Sequence, residues 1–154
     1  MEPMVEQLKG PYIAPRLTLR VGVTGHRPHK LEGVDTSRLH ARASEVLHYL
    51  SSVTRSLQEK NDALGGAAPF SPESPDLRLA TSIAEEQIVT DAAVDAGYNL
   101  NLILPFPRAS YAQDFEGAAL EKFQRTFDHN AVQSCTELDL GDMPDGRNDG
   151  YLAA

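Results

Sequence analysis

The stretch Leu17-Thr-Leu-Arg-Val-Gly-Val-Thr-Gly-His-Arg27 decides how the rest of the chain is read. Leu17, Leu19, Val21 and Val23 alternate with Thr18, Arg20 and Gly22, and a period of two rich in β-branched residues is the pattern of a strand. The strand runs into Gly22-Val-Thr-Gly25, where glycines permit a tight turn and let a ligand approach the backbone. His26 and Arg27 follow, two side chains suited to holding an anion. Strand, glycine turn, basic pair and then a helix is the build of a nucleotide or phosphate pocket in an α/β protein. The stretch matches neither GxGxxG nor GxxxxGK[ST], and the plainer alternative is that the glycines only turn the chain.

Downstream, Asp35, Thr36 and Ser37 are N-cap residues, and Leu39, Ala43, Val46, Leu50, Val53 and Leu57 recur at steps of three and four. This predicts a long helix over about 36–60, its apolar stripe packed on a sheet, stopped by Gly65-Gly66. Pro69, Pro72 and Pro75 predict a mobile loop. A second strand is expected at 77–81. Glu85 and Glu86 suit the start of a helix carrying Ile88, Val89, Ala92, Ala93 and Ala96, closed by Gly97. A third strand is read at 98–104, ended by Pro105 and Pro107. Ser110 and Gln113 form a capping-box pattern before a helix to about His129, with Gly117 as a point of interruption. Phe115, Ala119, Phe123 and Phe127 repeat every four residues and should face the core. A weaker fourth strand is read at 131–138.

Strands alternating with helices predict an α/β fold, a parallel sheet with helices on both faces. Ligands of such sheets bind beyond the carboxyl ends of the strands. Residues 24–27, 82–86 and 105–108 should therefore share one rim. The expected organisation is a lead-in at 1–15, one domain over 16–140 and a turn-rich acidic tail at 141–154.

The 154 residues are enough for one domain with a real core. Net charge is −8, from 14 Lys and Arg against 22 Asp and Glu, which argues against nonspecific binding to nucleic acid or anionic membrane. No apolar run approaches the ~20 residues that span a bilayer, and the N-terminus lacks the apolar core of a signal peptide. Cys135 is the lone cysteine, so no internal disulfide forms, which fits a reducing cytoplasm. It reads as an inert buried thiol.

Val21-Gly-Val-Thr-Gly-His-Arg27, Ala84-Glu85, Gln87-Ile-Val-Thr-Asp-Ala-Ala93, Gly97-Tyr98 and Leu104-Pro-Phe-Pro-Arg108, with Tyr111 and Asp114-Phe115, resemble the SLOG superfamily. This is the Rossmann-like group that includes the "Lonely guy" phosphoribohydrolases and the DNA-processing protein A fold. The nearest-looking members are bacterial proteins of unassigned activity with a "GVTGHR" start. The resemblance covers about residues 17–130 and implies a Rossmann-like fold binding a nucleotide or a nucleotide-derived ligand. Two departures stand out. Ala84-Glu-Glu-Gln87 replaces the family's Ala-Glu-Gly-Ala-Asp run, and a glycine there lets backbone N–H groups approach a phosphate. The second phosphate loop and the Pro-Gly-Gly-x-Gly-Thr-x-x-Glu motif are absent, so the chain reads as truncated at its C-terminus relative to that family.

The candidate ligand-binding residues are Gly22, Thr24, Gly25, His26, Arg27 and Arg108, with a nucleotide or phosphate as the ligand and no cofactor otherwise expected. Arg108 reads equally well as a solvated loop residue. His26 and His29 straddle Pro28 without companion ligands, so no metal site is expected. His40 and His48 are read as surface residues. Glu85 is a weak candidate for acid–base work beside a ribose, its simpler role being at the helix start. The leading expectation is a non-catalytic sensor or remnant module. The alternatives are a hydrolase of a nucleotide N-glycosidic or phosphate bond, and a half-domain that works by assembling with a partner. A homo-oligomer, a dimer above all, is expected, because a short parallel sheet leaves an edge and apolar surface uncovered; the stripe Leu39, Val46, Leu50, Val53 and Leu57 is the other candidate interface if it faces outward.

Overall fold

The computed structural model describes residues 13–24, 33–83 and 88–138. They form β1 (Thr18–Gly22), α1 (Thr36–Asp62), β2 (Asp76–Thr81), α2 (Ile88–Asp95), β3 (Asn99–Leu104), the short α3 (Arg108–Tyr111), α4 (Gly117–Phe127) and β4 (Val132–Glu137). The four strands make one parallel sheet in the order β1-β2-β3-β4. This is a small α/β Rossmann-like architecture. No described helix is long and apolar enough to cross a membrane.

The predicted elements form for the anticipated local reasons. Asp35 caps α1, its Oδ1 accepting from the Arg38 N–H at 3.0 Å. Gly97, at φ +85, closes α2. Its N–H bonds the Val94 carbonyl at 3.0 Å and the Tyr98 N–H bonds the Ala93 carbonyl at 2.9 Å, the paired bonds of a Schellman ending. The Tyr98 hydroxyl then donates to the Leu47 carbonyl at 3.1 Å, tying β3's approach to α1. Burial raises the pKa of that hydroxyl, and the Arg55 charge opposes the rise.

The helix predicted from Ser110 onward divides. α3 ends at Tyr111, a 3-10 turn follows, and α4 begins at Gly117 with φ +52. Ser110 therefore lies inside α3 and caps nothing. The aromatic spacing holds across the break. Phe115 and Phe123 stack at 4.7 Å between centroids, and Tyr111 meets both edge-on.

Leu77, Leu79, Leu100, Leu102 and Leu104 all point to one face and are buried there with residues of α1, α2, α3 and α4. Arg20, Arg78, Ala80, Asn99, Asn101 and Ser134 occupy the other face, half-buried or exposed. Right-handed crossovers that all step the same way lay every helix on one side, and helices on a second side come with a reversal of strand order. Among the described residues the helix cover lies on one face.

Two expectations are corrected. The row of α1 turned to the core is Leu47, Ser51, Thr54, Gln58 and Asn61, one residue on from the apolar stripe. The 69–75 loop is clamped by that row. Asn61 accepts from the Phe70 N–H at 3.0 Å and donates to its carbonyl at 3.1 Å, and Gln58 donates to the Ser71 carbonyl at 2.9 Å. Ser71 in turn bonds Pro15, and Arg16 bonds Ser74. The polar side chains are buried because they satisfy loop backbone that would otherwise lose water.

Asp76 opens β2 on the polar face, its carboxylate accepting from Arg78 Nε at 2.6 Å and Asn99 Nδ2 at 3.1 Å. Burial pushes its pKa up, but the bonds from Arg78 and Asn99 and the charges of Arg78 and Arg16 outweigh burial and hold it below 3.8. The unfolded chain therefore binds a proton first as pH falls, so the stabilisation is complete above the ordinary carboxylate range and is lost through the lowered value. Asp76→Asn is expected to cost about 1–3 kcal/mol at neutral pH. In thermal melts from pH 7 to pH 2 the gap from the parent should close at the acid end; an unchanged gap would contradict this.

Candidate functional site

In a parallel sheet every strand delivers its C-terminal segment to the same edge. Here that rim carries Val23 and Thr24 after β1, Ser82 and Ile83 after β2, and Pro105 to Arg108 after β3. The Val23 N–H still bonds the Ala80 carbonyl at 2.9 Å, so β1 stays against β2 up to the rim. The Tyr111 hydroxyl donates to the Ile83 carbonyl at 2.6 Å and fastens α3 to the segment after β2. Sequence periodicity could not find that bond, although the repeating aromatics marked Tyr111's neighbourhood.

Gly22 makes no tight turn. It pairs with Ala80 in the ladder, and its φ lies outside the left-handed region. A Cβ placed there would meet no atom within 4 Å, so the end of β1 presents open backbone surface. Thr24 is exposed beside it. Gly25, His26 and Arg27, together with His29 and Glu85, lie outside the described residues.

Arg108 sits at the other end of the rim. Its Cζ stands 3.8 Å from the centroid of the Phe127 ring, a cation–π arrangement. Two strand spacings, about 10 Å, separate β1 from β3, so Arg108 is turned toward α4 and β4 while Gly22 and Thr24 belong to β1. Its charge is also felt at Cys135 on β4. That cysteine is exposed, which corrects the expectation of a buried one. Among the described residues β4 is the terminal strand, and nearly all of it is open. Partial desolvation of the thiol, then Glu137, raise the Cys135 pKa, with Arg108 pulling the other way, so the thiol stays protonated and unreactive at neutral pH.

The Asp35 cap has an electrostatic consequence. A carboxylate on the N-terminus of α1 takes up one of its free N–H groups and repels an arriving anion. Among the described residues no group of three His, Cys, Asp or Glu side chains is placed to hold a metal ion.

No family model, curated protein or solved structure matches the chain.

Proposed function

We propose that the chain binds a nucleotide or nucleotide-derived anion at the β1 end of this rim, as a non-catalytic sensor or remnant module of the SLOG type in a bacterial cytoplasm. The observation that carries this reading is the open end of β1. Gly22 leaves room for a ligand at the backbone, Thr24 offers a hydroxyl at the surface, and the sequence continues directly into Gly25, His26 and Arg27. Backbone N–H groups, a hydroxyl and a guanidinium are the groups that capture phosphate. A thermal-shift screen against AMP, ADP-ribose, NAD and cyclic nucleotides tests the reading, which expects at least one clear stabilisation.

Catalysis is a second reading, with Glu85 as its candidate acid–base residue. Incubation with AMP should release no free adenine by chromatography. Release that disappears in Glu85→Gln would establish a hydrolase instead. A half-domain that works by assembly is favoured by one specific observation, the position of β1 at the edge of the sheet. Ligand crevices of doubly wound sheets lie where strand order reverses, and the described order has no reversal.

A further inference from the structure

The apolar stripe of α1 is exposed. Val46 is 58% exposed, Tyr49 67%, Leu57 51% and Leu64 55%, with Leu39 and Val53 close behind. Each of Val46, Val53 and Leu57 precedes a buried residue, Leu47, Thr54 and Gln58, so the stripe lies about 100° around the helix from the core-facing row. Arg55 follows Thr54 and lies about 100° to the other side. Arg55 is the α2 flank, since its Nη2 would stand 3.6 Å from a Cβ on Gly97. The stripe is therefore on the flank away from α2, the flank that looks past β1.

Among the described residues β1 is the open edge of the sheet on that same side. The Leu17 carbonyl and the Val23 N–H point to β2. In a parallel ladder the intervening Thr18, Arg20 and Gly22 then turn their N–H and C=O groups outward. An unpaired edge and an exposed apolar helix flank lie side by side, and each is a surface that invites pairing.

From this juxtaposition we infer that a second copy of the chain docks here, α1 antiparallel to α1 about a twofold axis perpendicular to the sheet. This inference is independent of the ligand reading. An axis passing between residues 51 and 52 sets Leu39 opposite the partner's Leu64, Val46 opposite the partner's Leu57 and Leu50 opposite the partner's Val53. The stripe thus matches itself, which a twofold interface requires. On the solvent rim the same axis brings Glu45 within a helical turn of the partner's Lys60, so opposite charges meet at both ends. A helix of 27 residues is ~40 Å long and ~10 Å wide. That strip offers roughly 400 Å² per partner, about half of the ~800 Å² of a standard interface, and the paired β1 edges add to it. The twofold also sends the C-terminal ends of the two β1 strands to opposite ends of the joined sheet.

Light scattering coupled to gel filtration on the full chain at tens of micromolar tests this. Twice the 16.8 kDa chain mass is expected. Val46→Glu, at a site already exposed, should give a folded monomer by circular dichroism, with the dimer dissociation constant raised about tenfold or more. Glu45→Lys should weaken the dimer, and adding Lys60→Glu should restore it. The charge swap also decides the matter if Val46→Glu fails to fold. A wild-type monomer, a folded Val46→Glu that remains dimeric, or a charge swap without rescue overturns the inference.

Discussion

Phe123→Ala is expected to destabilise the protein by about 3–5 kcal/mol, the range for emptying a buried phenylalanine site. Phe123 is 1% exposed. Its ring stacks on Phe115 at 4.7 Å and meets Tyr111 at 5.7 Å and Phe127 at 5.1 Å edge-on. Three aromatic partners cannot all collapse into the void, so both transfer energy and cavity energy are lost. The effect should extend to the rim, because Tyr111 carries the bond to Ile83 and Phe127 carries Arg108. Urea unfolding of parent and variant, at equal protomer concentration so that dimerisation does not enter the comparison, measures it. A cost under about 1 kcal/mol would mean the aromatic cluster is not the packed unit described, given that whole domains are held by about 5–15 kcal/mol.

Several signals that depend only on neighbouring backbone are legible in the sequence, although the Ser110 capping pattern and the Gly22 turn are not among them. The alternation around Val21, the Asp35 cap and the Gly97 ending each depend on neighbours a few residues away, and each formed. Two further departures, at α1 and at Cys135, involve partners far along the chain. Periodicity marked Val46, Val53 and Leu57 as a core row, but burial of α1 is decided by what Gln58 and Asn61 can hydrogen-bond, and those partners are Ser71 and Phe70. A lone cysteine reads as buried because cysteines usually are, but nothing among the described residues pairs beyond β4, and Cys135 is exposed. Strand order has no local signature, so the gathering of the helices over one face was not legible.

The candidate site was legible in part. Thr24 stands at the end of β1 as its sequence position indicates, whereas Gly22, read as part of a turn, is the last ladder residue of the strand. Arg108 was placed on the same rim without any indication that Phe127 would draw it toward β4. A solvated guanidinium and one lying on an aromatic ring look alike in sequence, because the ring is nineteen residues away and on another helix.

The ligand effect is the second large expectation. A nucleotide that binds the folded protein alone, present at about 100 times its dissociation constant, adds ~2.7 kcal/mol to stability. For a chain of this size that is a rise in Tm of several degrees. Arg27 supplies the guanidinium in this account, so Arg27→Ala should leave the ligand-free melting temperature nearly unchanged and abolish most of the ligand-induced rise. Arg108→Ala, at the far end of the rim, should leave that rise largely intact. The decisive measurement is the melting temperature of parent and Arg27→Ala with and without the best nucleotide of the screen. The account predicts a rise in the parent that is lost in the variant; a rise of equal size in both would place the ligand elsewhere and contradict it.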